Sequence, residues 1–147
     1  MNRVKELTNE SAISKDDLTV LINGNRAKTS ELFLEQIFAL LNFPEKKYKN
    51  WDAYIGWMRD LSWIKNKKIN IIISDWSDFL CEDEKINKNI FVEDYNEDIL
   101  PYWEKASVHD NSDRYTKDLD VYYTDKSFVQ IFNCFIRIGF LCELLGH

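Results

Sequence analysis

Glycine is scarce in this sequence. Four glycines occur among 147 residues, and proline occurs only twice. Loops that cradle phosphate groups need closely spaced glycines, and no G-x-G-x-x-G or G-x-x-x-x-G-K motif is present. The spacings G-x-S-x-G and H-E-x-x-H, which mark common hydrolases and metalloproteases, are absent as well. We therefore expect a protein that is not an enzyme.

Histidine and cysteine are also too few to predict a metal site. The two histidines, His109 and His147, do not have the spacing of metal ligands. The three cysteines, Cys81, Cys134 and Cys142, include no C-x-x-C pair, and their odd count is typical of reduced thiols in a cytoplasmic protein. We predict a cytoplasmic protein that binds no metal and no cofactor.

Long hydrophobic runs are missing too. The most apolar stretch, residues 128–145, is interrupted by charged and polar side chains, so no membrane-spanning segment is predicted. The N-terminal residues 1–16 are polar and contain no apolar core of a secretory signal. We expect them to form a flexible segment.

Negative charge exceeds positive charge, and it is unevenly spread. The net charge is −6, yet the stretch from Asp75 to Asp113 alone carries −9, because 12 acidic residues there face three lysines. Such a field repels nucleic acid and attracts basic proteins, so we predict no nucleic-acid partner. A solvated acidic face without a partner is the plainer alternative.

Hydrophobic periodicity predicts one α/β domain over residues 17–124. The predicted strands are 17–23, 69–74 and 119–124. The predicted helices are 29–41, 50–61, 91–107 and 125–145. The uninterrupted apolar run of 69–74 is typical of a central strand covered on both faces. The order β-α-α-β-α-β predicts a small three-stranded parallel sheet packed with helices, followed by a C-terminal helix.

Several helix boundaries carry local signals. Thr29 or Ser30 can cap the first helix, and Asp125 or Ser127 can cap the last. Pro101 falls inside the third helical pattern, where it either kinks the helix or starts a second one.

The C-terminal extension, residues 125–147, has two interpretations. Gln130, Asn133 and Arg137 keep the spacing of one helix face, although the many aromatic and β-branched residues leave a strand over part of it as an alternative. A helix that is apolar nearly all round must be buried. We favour its packing on one face of the sheet of the same domain, and a homodimer closed by this helix is the other possibility.

The most informative stretch is residues 43–64, FPEKKYKNWDAYIGWMRDLSWI. Asn50 is a good N-cap for a helix whose main apolar face contains Trp51, Tyr54, Ile55, Met58 and Leu61. Asp52 lies in the first turn of that helix, where the helix dipole favours a carboxylate. Trp57 lies off the apolar face, so it either packs on a second face or forms an exposed anchor. Gly56, in mid-helix, lowers helix stability by about 1 kcal/mol relative to alanine. A helix tolerates this loss better where another molecule must approach closely.

This stretch resembles the barstar family, the intracellular inhibitors of secreted bacterial ribonucleases. Members carry a Pro-Glu turn, an aromatic-rich loop and then Asn-Leu/Trp-Asp-Ala at the start of the second helix. Here the pattern stands as Pro44-Glu45, residues 46–49 and Asn50-Trp51-Asp52-Ala53. The order of elements from about Leu18 to Thr124 also resembles the family. The resemblance implies a barstar-like fold.

The resemblance also implies a partner-binding surface on the second helix and the loop before it. Asp52 would enter a ribonuclease active site in place of a substrate phosphate, with Asn50, Trp51 and Tyr48 beside it. Each of these residues has a structural alternative: Asp52 stabilises the helix dipole, Asn50 is a cap, Trp51 belongs to the core, and Tyr48 packs within its loop.

Three positions on this surface depart from the family pattern. A well-known member has tyrosine where Lys46 stands, tryptophan where Ile55 stands and a second aspartate where Gly56 stands. These departures imply a different target, or an acid supplied from elsewhere, such as Glu97 or Asp98.

We therefore expect a barstar-like inhibitor or immunity protein, of the kind found in toxin–antitoxin systems. Its partner would be a basic bacterial ribonuclease or toxin domain. The alternative is a non-inhibitory protein-binding or regulatory module that has kept the fold.

Overall fold

A parallel four-stranded sheet forms the centre of the computed structural model, which describes residues 1–109 and 116–139. The strands are β1 (Lys5–Glu6), β2 (Leu18–Ile22), β3 (Lys68–Ile73) and β4 (Asp118–Tyr123). Their order across the sheet is β1-β4-β3-β2, and every pairing is parallel. The predicted α/β architecture with a parallel sheet is confirmed.

The prediction of three strands was wrong, because the polar N-terminus supplies a fourth. In β1, Lys5 lies opposite Tyr122 of β4. The side-chain amide of Asn2 supports this pairing by donating to the carbonyl oxygen of Leu119 at 2.7 Å. A strand of two residues is too short to show alternation, so periodicity could not reveal it. That residues 1–16 are flexible in solution stays a prediction.

Helices cover both faces of the sheet. They are α1 (Ser30–Leu40), α2 (Trp51–Met58), α3 (Lys88–Asp94), α4 (Leu100–His109) and α5 (Phe128–Arg137). Successive strand residues point to opposite faces. Val20, Ile71 and Val121 therefore share a core with α1 to α4, whereas Leu21 and Ile72 share a second core with α5. β3 is thus buried on both faces, as its apolar sequence predicts.

The C-terminal helix α5 packs on the sheet, where Ile131 and Phe135 share a core with Leu21 and Ile72. A homodimer closed by this helix stays a prediction. Of the two predicted caps, Asp125 and Ser127, it is Ser127 that caps this helix, and it forms a capping box with Gln130. The helix ends at Arg137, well before residue 145, and Gly139 follows with φ +103°, a conformation that stops helices. Residues 140–147 lie outside the described part. Within the described part, no helix has both the length and the apolar character needed to cross a membrane.

The helical segment from α3 to α4 changes its hydrogen-bond spacing just before Pro101. A π-helical turn, Tyr95–Ile99, joins the two helices. In a regular α-helix the proline ring would clash with the carbonyl group four residues earlier. The wider hydrogen-bond spacing of a π-turn removes that conflict, so the chain continues as one helical segment.

Candidate functional site

α2 begins at Trp51 because Asn50 caps it. Asn50 has an extended backbone (φ −127°, ψ 169°), and its side-chain oxygen accepts the amide N–H of Ala53 at 2.8 Å. This cap places Asp52 in the first turn with an exposed side chain. Among the described residues the Asp52 carboxylate has no hydrogen-bond donor and no ion-pair partner. It is therefore a free acid at the positive end of a helix dipole.

Trp51 joins α2 to the neighbouring helices. Its ring centroid lies 6.0 Å from that of Phe33 and 5.0 Å from that of Tyr54. Its indole N–H donates to the Asp94 carboxylate at 2.7 Å. The side chain is half-buried against the core, so only its outer part is open to another molecule.

The inner face of α2 is held by buried aromatic residues. The hydroxyl groups of Tyr54 and Tyr95 hydrogen-bond to each other. Burial raises the pKa of both phenols well above their ordinary value, so both remain uncharged. At the end of the helix, the indole N–H of Trp103 donates to the carbonyl oxygen of Met58 at 2.8 Å. These contacts fix the helix that presents Asp52.

Trp57 packs on a second face of α2, which decides between its two predicted roles. Its ring centroid lies 5.4 Å from that of Trp63 and 6.4 Å from that of Phe43. The indole N–H of Trp63 in turn donates to the carbonyl oxygen of Leu41 at 2.8 Å. This aromatic group anchors the beginning of the loop that leads into α2.

Gly56 lies on the exposed face of α2, one turn after Asp52. A Cβ atom added to it would meet nothing within 4 Å. No contact inside the described structure therefore requires glycine at this position. Its neighbour Ile55 is half-buried and packs against the main core.

The loop before α2 is exposed from Pro44 to Asn50. Tyr48 is 61% exposed, and the Nζ atom of Lys47 lies 5.5 Å from its ring centroid. The Nζ atom of Lys46 donates to the side-chain oxygen of Asn42 at 3.0 Å. The loop thus adds an aromatic side chain and several ammonium groups to the surface around Asp52.

The two alternative acids lie on the helical segment beside α2. Asp98 pairs with Arg59, the residue directly after α2, with 3.3 Å between nitrogen and oxygen, so its charge is compensated. Glu97 is exposed, and within the described ranges it has no ion-pair partner. The sequence did not single out Asp94, because its role comes from tertiary contact with Trp51, 43 residues away.

The described residues contain no group of three His, Cys, Asp or Glu side chains that could hold a metal ion. Cys81 is exposed and Cys134 is half-buried, and both are free thiols. Cys142 and His147 lie outside the described residues.

The fold and the surface together define a small parallel α/β protein with a rigid helix and an exposed loop. Such a surface, with a free acid and an exposed tyrosine, can bind another protein. The family model described as Barstar (barnase inhibitor) matches residues 18–114. The chain belongs to the barstar family, which is a family of inhibitors. It matches no curated protein and no solved structure.

Proposed function

We propose that this protein inhibits a ribonuclease, or a related toxin, by occluding its active site. Asp52 carries the proposal. It is an exposed carboxylate without a partner among the described residues, and it stands at the start of a fixed helix. It also corresponds to the acid in the Asn-Trp-Asp-Ala pattern by which the sequence resembles the family. A cleft that binds substrate phosphate needs cationic side chains, and the Asp52 carboxylate would take the place of that phosphate.

The mechanism is steric and electrostatic. α2 and the loop before it enter the cleft, and the contacts of Trp51 and Tyr54 keep the helix in place beforehand. Because these contacts already hold the helix backbone, binding orders little beyond the Asp52 side chain, so the free protein needs little rearrangement. The acidic stretch of residues 75–113 raises the association rate with a basic partner at low salt. This mode of action needs no catalytic residue, and the protein would act in the cytoplasm, where the partner would otherwise cleave RNA.

The test is inhibition of RNA cleavage by a panel of purified secreted bacterial ribonucleases that includes barnase. Any toxin domain encoded beside the gene joins the panel. We expect one member to be bound with a dissociation constant well below about 1 μM. Asp52→Ala should weaken that binding by at least about 100-fold. Asp60→Ala, an exposed acid of the same region, is the matched control and should change it little. If every member of the panel stays active at micromolar inhibitor, the proposal is wrong.

A second candidate is a binding or regulatory module that does not inhibit a nuclease. Gly56 favours it, because the second acid of the family pattern is missing there. Such a module could use α5, whose Val129 is 63% exposed. It would then bind its partner equally well after Asp52→Ala. If α5 instead closes a homodimer, sedimentation at high protein concentration should detect the dimer.

A further inference from the structure

The loop before α2 is positively charged although the protein is acidic. Residues 44–50 carry a net charge of +2, against −6 for the whole chain. Three exposed lysines, Lys46, Lys47 and Lys49, outweigh the single acid Glu45. Within the described part of the chain, none of their ammonium groups pairs with a carboxylate. These cations therefore remain available to another molecule.

The loop holds these lysines between two fixed ends. At one end Phe43 is buried, with its ring centroid 4.3 Å from that of Phe38. At the other end Asn50 caps α2. Lys46 contacts the neutral amide of Asn42, and Lys47 lies over the neutral ring of Tyr48. These two contacts restrict the positions of the Lys46 and Lys47 ammonium groups. Because both contacting groups are neutral, the lysines keep their charge.

Asp52 and the lysines present opposite charges on one surface. Lys49 precedes Asp52 by three residues, and both side chains are exposed. A cleft lined only by cations would attract Asp52 and repel the lysines. Like charges brought together at an interface weaken binding and exclude the wrong partner. A partner that carries both signs of charge would match this surface better than one that carries cations alone.

We propose that the partner carries carboxylate groups on the rim of its cleft, and that these groups pair with Lys46, Lys47 and Lys49. They would lie beside the cationic pocket that takes Asp52. This inference rests on the proposed function and specifies in addition how charge is distributed on the surface of the target. Nuclease chemistry allows the combination, because a carboxylate general base can work next to cationic groups that bind phosphate. The lysines then select against ribonucleases whose rim is basic.

The test compares the unmodified protein with charge variants, all against the panel member that the unmodified protein inhibits. The loop variant is K46E/K47E/K49E. The control variant is K15E/K65E/K85E, which changes the net charge equally at other exposed lysines. Association rates and dissociation constants are measured at about 50 mM and about 300 mM salt. Salt weakens long-range attraction between exposed charges much more than it weakens ion pairs in direct contact, so the two contributions can be distinguished. We expect the loop variant to bind at least about tenfold more weakly and the control variant to change less than about threefold.

Other outcomes would overturn the inference. Equal losses in both variants would assign the effect to net charge. Unchanged or tighter binding by the loop variant would refute a carboxylate rim, and the proposed function would still stand if Asp52→Ala abolished inhibition. If no panel member is inhibited, the proposed function fails and this inference fails with it. A labelled single-stranded RNA that binds the unmodified protein and not the loop variant would assign the lysines to nucleic acid instead. The variant K46Q/K47Q/K49Q, which adds no negative charge, guards against misfolding and should show an intermediate loss.

Discussion

The indole N–H of Trp51 donates a hydrogen bond to the carboxylate of Asp94 across 2.7 Å. This bond joins the first residue of α2 to the last residue of α3. A hydrogen bond to an ionised acceptor is stronger than one between neutral groups. The bond therefore helps to fix the rotation of α2, and with it the direction in which Asp52 points.

Asp94→Ala leaves the indole N–H of Trp51 without its acceptor. We expect the free energy of unfolding to fall by about 1–3 kcal/mol, because a partly buried donor loses its partner. Urea denaturation measures the change. Glu93→Ala, at an exposed position of the same helix, is the control and should stay within about 0.5 kcal/mol of the unmodified protein. A similar loss in both variants would contradict a specific role of the Trp51–Asp94 bond.

This bond also marks the limit of what the sequence predicts. The start of α2, its cap Asn50 and its buried face follow from local signals, since capping and helical spacing operate over a few residues. The pairing of Trp51 with Asp94 depends on how two distant segments pack. The strand β1 was not predicted for a related reason. Its two residues form a strand because of contacts with β4 and with Asn2, and they show no sequence pattern of their own.

Gly56→Ala should stabilise the free protein. The added Cβ atom meets nothing within 4 Å, and alanine loses less backbone entropy than glycine in a helix. We expect a gain of about 0.5–1 kcal/mol in the free energy of unfolding. Thermal and urea denaturation measure it. A loss of stability would mean that this position is more crowded than the structure indicates.

Gly24→Ala should have the opposite effect. A Cβ atom at Gly24 would lie 2.0 Å from the carbonyl oxygen of Ser74, which is backbone and cannot move aside by itself. The end of β2 would have to shift away from the end of β3. We expect a loss of more than about 2 kcal/mol in the free energy of unfolding. The changes in the free energy of unfolding caused by Gly24→Ala and Gly56→Ala should therefore have opposite signs. Equal changes would refute both explanations.

Gly56→Asp would restore the second acid of the family pattern. The exposed position accepts the larger side chain without a clash at its Cβ atom. If α2 enters ribonuclease clefts, the added carboxylate should raise the affinity for barnase by about tenfold or more. Inhibition of RNA cleavage by barnase measures it. Gly56→Ala controls for the change in helix stability, and an equal gain from alanine would assign the effect to the helix instead.

Asp83 ties the loop after β3 to the start of α1. Its carboxylate accepts the backbone N–H groups of Ser30 at 2.6 Å, Ile86 at 2.6 Å and Lys85 at 2.9 Å. Burial by itself would raise the pKa of this carboxyl group, but these hydrogen bonds outweigh it and lower the pKa from 3.8 to about 2. The folded state therefore favours the ionised form of Asp83.

The lowered pKa of Asp83 predicts a specific dependence of stability on pH. The unfolded chain takes up the proton first as the pH falls. The contribution of Asp83 is therefore complete above about pH 4 and is lost as the pH falls towards about 2. Asp83→Asn removes this titration and leaves a weaker acceptor, so it should cost about 1–2 kcal/mol at pH 7. Urea denaturation at several pH values should show the difference between the two proteins shrinking between pH 4 and pH 2. A difference that stays constant over this range would mean that the ionisation of Asp83 does not stabilise the fold.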